Sequence, residues 1–567
     1  MRRAAVCAGA LLTACAETHS APPTSPAALR ALATDYYAWR DSSYPVTSSD
    51  QGKHTWDAQL TDYRLASINA RRRHVAELLS AVKATPATSW SKDDRVDWYL
   101  FRAQLEGANF FARVTDPEAS DPQVYVNEAA NGIFSLLKKE YAPRRVRAVA
   151  ATSRLEQVPA LLTQARANLT HPVKLFAKLA VDAARGGDDL YKTSLMSLAD
   201  DLPQDERARL VTARDNALKA LHDFADWLDD HLSSMPDWRP MGEANYNYLL
   251  KNVLLLPLDA TQVEMLGQAE LARYRGLEAM MKDPSLASPD PARSRNVPRS
   301  QAEFLAAYQA REREMIDFLK SRKLVTIPAY IGSFVIRELP DAFKPTSPGG
   351  FMNPPGVYDP DNSGFYFIPT YNPKSGNFYI RAAIEDPRPI LGHEGIPGHF
   401  LQISIANHLT DEIRRQHADN TFVEGWALYG EEMLMREGLY GAESPGYGQV
   451  LRLARYRAAR IGVDVNLHTG RWTFEQAVKY FMEAGGLDRE AAEGEAAGAA
   501  ASPSQKIGYM VGKWQIMRLL GKYRDRQGAT FTLGGFHDQV ISYGSLPASI
   551  VEWLMFDDPT TLESALR

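Results

Sequence analysis

Cysteine is almost absent from this chain. Of 567 residues only Cys7 and Cys15 carry a thiol, and both lie in the first fifteen. Beyond that point no disulfide, thiolate nucleophile or thiolate metal site is available. Long apolar runs are also missing. The stretch from Ala4 to Ala14 is too short to span a bilayer, and no later one is longer. Clustered positive charge is missing too: the net charge is −5 and no basic run stands out, which argues against nucleic acid as a partner.

The N-terminus reads as a targeting segment. Arg2 and Arg3 form a positive start, Ala4 to Ala14 a short apolar core, and Leu12-Thr13-Ala14-Cys15 has the form of a bacterial lipobox. The expectation is a lipoprotein signal over 1–14 and lipid attachment at Cys15. Cys15 would be the only membrane anchor of a periplasm-facing protein of the cell envelope, at the outer membrane. An ordinary cleaved signal with an incidental cysteine is the alternative. A Pro/Ser-rich tether follows over 15–30.

The remainder is 45% apolar and 23% charged, ordinary for a globular protein. Helical periodicity dominates: Leu210, Ala217, Leu221, Phe224 and Leu228 form one stripe. Ser153 to Glu156 has the form of a capping box, with Pro159 close behind. The Pro-rich segment 283–298 reads as a surface linker between helical regions at 31–285 and 300–567, both one unit around a cleft. Gly364 to Tyr371 and Asn377 to Arg381 read as two short strands. Pro369 suits an edge, where extended peptide could add as a further strand. Ala491 to Ala501 is open between a weak helix and a loop. The fold expected is mainly α with a small β-hairpin or sheet.

The chemistry concentrates in His393-Glu394-Gly395-Ile396-Pro397-Gly398-His399. Two imidazoles can hold a metal, and a carboxylate beside one can take a proton from a metal-bound water. The histidines are six residues apart, roughly 240° and about 9 Å on a continuous helix. Pro397 and Gly398 therefore have to bulge the helix, returning His399 to an effective i+4 position. A Pro-Gly kink between unrelated histidines is the plainer alternative. Downstream, Asp419 or Asn420 caps a helix with Glu424 in its apolar first turn, either a third ligand or a glutamate favouring the helix dipole. Glu431, seven residues on and on the same face, either accepts a proton from a ligand imidazole or is structural. Arg455, Arg457 and Arg460 share a helix on which one could grip a peptide carboxylate.

These segments resemble a known family. His393 to Gln402, Phe422 to Glu432, Val463 to His468, Pro503 to Tyr509 and Phe536-His537-Asp538 look like the bacterial family catalogued as domain of unknown function 885, most closely from about Gly364 onward. That family resembles gluzincins, zinc peptidases with two histidines and one glutamate as ligands. The resemblance implies a two-lobed helical zincin-like fold with His393, His399 and Glu424 on Zn2+ and Glu394 as general base. Tyr509, His537 and His468 are the candidates for stabilising developing charge on a peptide substrate. Two departures from the family pattern stand out. Glu495 to Ala501 replaces an arginine and an aromatic, and Phe400 follows His399 where a histidine is usual. The function expected is a zinc-dependent peptidase acting on short peptides. The alternatives are a non-catalytic lipoprotein binding peptide or cell-wall fragments, or a zinc amidase or esterase on a non-peptide substrate.

Overall fold

A computed structural model describes residues 21–294, 297–339, 349–442 and 444–567. The expected leader, Cys15 and the start of the expected tether lie outside the described residues. The chain is mainly helical with one small sheet, as the periodicity implies. The stripe from Leu210 to Leu228 is the buried face of the helix Gln204–His231. One hydrophobic core is built from residues 46–235. A larger one joins Leu29, Tyr37, Leu78 and Phe101 near the N-terminus to side chains between Tyr246 and Leu562. The first helices thus pack directly on the half that carries the metal-type motif.

The sheet has three strands in the order β1 (Phe334–Glu338), β3 (Gly364–Ile368), β2 (Phe351–Asn353). β3 runs parallel to β1 and antiparallel to β2. This corrects the expected hairpin in two respects. Gly364–Ile368 is the central strand, buried at every position, and Pro369 lies just past its end. The second expected strand is the helix Phe378–Glu385, because the Asn377 side chain accepts from the backbone N–H groups of Tyr379 and Ile380 and nucleates a turn.

Three other local readings resolve. Ser153 is not an N-cap: the helix Arg144–Asn168 runs through it and Pro159, and the Ser153 hydroxyl donates to the Ala58 carbonyl. The alanine-rich run is helical (Arg489–Ala501), started by an Asp488 cap. The segment around Pro284 to Arg293 is anchored rather than loose, with Leu286 buried and Arg293 3.3 Å from Glu385.

Candidate metal centre

Helices of the C-terminal half place the candidate residues. Arg388–Glu394 ends on His393 and Glu394, and a second helix, His399–Asn407, begins at His399. The expected bulge is therefore a full break. Residues 395–398 leave the helix, with a cis Ile396–Pro397 bond, and a separate helix starts at His399. Gly398 allows the turn, since a Cβ there would overlap the His393 carbonyl. The Trp426 indole N–H donates to the Pro397 carbonyl at 2.8 Å and ties the break to the next helix.

That helix, Asn420–Arg436, is capped by Asp419, which accepts from the Phe422 N–H at 2.7 Å. Burial pushes the Asp419 carboxyl up to about 7. Glu424 sits in the following turn and faces both histidines. Its Oε2 lies 3.3 Å from His399 Nε2 and 3.5 Å from His393 Nε2. All three ligand atoms fall within 4.8 Å of one another. Metal–ligand bonds of about 2.0–2.1 Å in a tetrahedron put ligand atoms roughly 3.3–3.4 Å apart, and both Glu424–histidine pairs lie close to that spacing. Glu424 Oε2 is buried, and both imidazole Nε2 atoms face it, so a cation shared by the three groups would offset the burial of its charge.

The electrostatics agree with a cation-seeking site. Burial and Arg457 push the His393 imidazole down, but Glu424 and Glu431 outweigh them and hold it at about 9. Burial would raise the Glu424 carboxyl, yet His399 and His393 pull it well below the usual range. Glu431 Oε1 lies 2.7 Å from His393 Nδ1, and Arg457 pairs with the same oxygen at 2.8 Å. This chain of contacts orients the His393 ring with Nε2 toward Glu424.

Tyr509 belongs to this group. Its ring stacks on His393 with centroids 6.2 Å apart, and Arg457 and Arg460 lie over it. Burial and Glu424 raise the phenol to about 12. It is held close by glycines: a Cβ on Gly425 or Gly512 would run into the facing backbone, so the helices Asn420–Arg436 and Gln505–Gln527 touch there. Glu394 is half-buried at its helix end, and its charge is felt by Tyr366 of β3, a neighbour that no local motif singles out.

His537 and His468 stand elsewhere, which corrects their proposed catalytic placement. Both His537 nitrogens are engaged, Nε2 with the Tyr429 hydroxyl at 2.7 Å and Nδ1 with the Leu324 carbonyl at 2.6 Å. The ring supports Trp426 from behind. His468 Nε2 meets the Ala499 carbonyl at 2.9 Å, and its ring stacks on Tyr246. It is eleven residues beyond Arg457 on the helix Pro445–Thr469, about 16 Å along the axis. Packing, not catalysis, accounts for both. The three arginines considered for a substrate carboxylate are all paired internally: Arg455 with Glu278, Arg457 with Glu431 and Arg460 with Glu495. Glu495, in the segment that departs from the family pattern, thus serves as an internal counter-ion.

Fold and site together define a mainly helical protein with a buried His-His-Glu cluster of metal-ligating geometry. The family described as "Bacterial protein of unknown function (DUF885)" matches residues 45–555, and the chain belongs to it. The fold is shared with two solved structures. One is described as a "putative lipoprotein of unknown function from Shewanella oneidensis", 22% identical with a TM-score of 0.72, covering 94% of this chain and 100% of that one. The other is a "putative lipoprotein from Colwellia psychrerythraea", 18% identical with a TM-score of 0.77, covering 96% and 99%. Nothing matches among curated proteins. Among the described residues no helix is long and apolar enough to cross a membrane.

Proposed function

We propose that this chain is a zinc-dependent peptidase of gluzincin type, with His393, His399 and Glu424 as ligands. The observation that carries the reading is the spacing of the three ligand atoms, with a buried Glu424 oxygen facing both imidazoles. Zinc held there would acidify a water molecule and polarise a scissile carbonyl. The Glu394 carboxylate, adjacent to His393 in sequence and half-buried, takes the proton of the attacking water and returns it to the leaving amine. Tyr509 keeps its proton at neutral pH, since its phenol is raised to about 12, and donates to the carbonyl oxygen as charge develops. Glu431, itself held by Arg457, fixes the orientation of His393.

The lipobox-like Leu12-Thr13-Ala14-Cys15 and the naming of both structural neighbours as lipoproteins support lipid attachment at Cys15. The proposed location is the periplasmic face of the outer membrane, with peptides as substrate.

The test is metal content per chain of residues 16–567, beside Glu424→Ala and Glu394→Gln. The expected result is about one zinc in the parent, little in Glu424→Ala, and full zinc without turnover of a peptide mixture in Glu394→Gln. A folded parent that cannot be loaded with zinc would overturn the reading. Zinc retained with no hydrolysis of any peptide would leave a binding protein or a hydrolase of another substrate class.

A further inference from the structure

Two adjoining cavities are lined by residues about one helical turn from those of the candidate metal centre. One, of about 690 Å³, is lined by Trp39, Arg40, Ile403, Arg415, Asn420 and Val423 among others. The other, of about 520 Å³, includes Thr421 and Gln505. Tyr36, Arg40, Gln416, His417, Ala418 and Asn420 line both. Each volume is of the size that holds small ligands.

Three helices bring these cavities to the site. Ile403 follows His399 by one helical turn, Asn420 precedes Glu424 by one turn, and Gln505 precedes Tyr509 by one turn. Residues four apart share a helix face. The cavities therefore lie on the same faces as His399, Glu424 and Tyr509, about 6 Å further along each helix.

The charge in the larger cavity is unevenly compensated. Arg40 pairs with Asp41 at 2.8 Å, and Lys53 also reaches Asp41 at 3.1 Å. Lys138 pairs with Asp50 at 2.6 Å. Arg415 is different. Among the described residues no carboxylate pairs with it; its Nη1 reaches only the Leu409 carbonyl at 3.4 Å, and its Nε has no partner. A half-buried guanidinium in a cavity, without a counter-ion, calls for an anion from outside the chain.

Resting on the peptidase reading above, we propose that these cavities hold the C-terminal end of a short peptide, with its free carboxylate on Arg415. A guanidinium takes a carboxylate bidentately. The lining residues Ile403 and Asn407 stand about 6 and 12 Å along the helix from His399. At roughly 3.5 Å per extended residue, the cleaved bond lies only a few residues from the carboxylate. The products are then a shortened peptide and a small C-terminal fragment.

The test is equilibrium binding of one acetylated hexapeptide, as free acid and as amide, to the zinc-loaded Glu394→Gln chain. The acid is expected to bind about tenfold or more tightly than the amide. Arg415→Gln is expected to abolish that preference, and Arg415→Lys to keep part of it. Ala418→Trp, at an exposed position facing both cavities, is expected to weaken both ligands without changing the circular dichroism. Equal affinity for acid and amide, no binding of either, or a preference that survives Arg415→Gln overturns the proposal. Acid preference in a chain whose parent hydrolyses no peptide keeps this inference and removes the peptidase reading.

Discussion

The Trp426 indole N–H donates to the Pro397 carbonyl at 2.8 Å, joining the break between the two histidine helices to the helix that carries Glu424. The bond is buried, and the ring is almost wholly enclosed, with the His537 ring nearly perpendicular to it at 5.6 Å between centroids. Trp426→Phe removes the donor and leaves that carbonyl unpaired. The expected cost is about 1–3 kcal/mol in urea unfolding. Because the two sides of the ligand set are no longer tied, a weaker zinc isotherm in calorimetry should accompany it. An unchanged isotherm would show that Trp426 serves the core alone.

Glu431 stands between a ligand and an arginine, 2.7 Å from His393 Nδ1 and 2.8 Å from Arg457. Glu431→Gln keeps the shape and removes the charge. Zinc affinity should fall by about 10–100-fold, the usual effect of losing a partner that orients a ligand histidine. Stability should fall as well, since Arg457 is left buried and uncompensated. Competition with a metal-sensing dye measures the first effect and denaturant titration the second.

Gly512 faces Gly425 and Thr421 at a backbone-to-backbone contact. Gly512→Ala must push the helices Asn420–Arg436 and Gln505–Gln527 apart, at about 1–3 kcal/mol of stability. The same displacement moves Glu424 relative to Tyr509, so peptide turnover should fall more than the unfolding midpoint suggests. An alanine variant with parental turnover would mean that the contact only packs the core.

Burial pushes His417 and His537 down to about 4. In the unfolded chain they titrate near 6.5, so between about 4 and 6.5 the unfolded state binds more protons than the native one. The contribution of these two histidines to stability therefore rises with pH through that window and is lost as the solution is acidified. The expected loss between pH 7 and pH 5 is on the order of 2 kcal/mol per histidine. Denaturant melts of the parent and of His417→Gln should differ in slope against pH, with the variant flatter. Parallel slopes would show that His417 is not neutral in the fold.

Much of the candidate site was legible in the sequence because it is local. The glycine and proline between His393 and His399, and the Asp419 cap one turn before Glu424, are short-range signals with direct backbone consequences. The form of the break was not legible. A bulge and a complete restart both bring the histidines together, and only the contacts of Trp426 and Gly398 select the restart. The second expected strand failed for a similar reason. Asn377 to Arg381 has strand-like composition, but one side-chain cap outweighs a weak propensity.

Histidine roles were the least readable. His399, His468 and His537 look alike in a sequence, each a single imidazole in an apolar stretch. What separates them is the group each nitrogen meets: Glu424 for the first, backbone carbonyls 31 and 213 residues away for the other two. The arginines divide in the same way, with Arg455, Arg457 and Arg460 neutralised by distant acids and Arg415 left without one among the described residues.

The sequence by itself determined the mainly helical character, the absence of cysteine beyond residue 15, the family and the residues of the His-His-Glu cluster. Those follow from periodicity, composition and motifs, which are properties of neighbouring residues. Only the tertiary structure decided that Gly364–Ile368 is a central strand, that His468 and His537 pack rather than face the site, and that a cavity lined by Arg415, which among the described residues has no carboxylate partner, lies about one helical turn from Glu424. Each depends on contacts between segments far apart in the chain, where burial and pairing set the energy of a side chain.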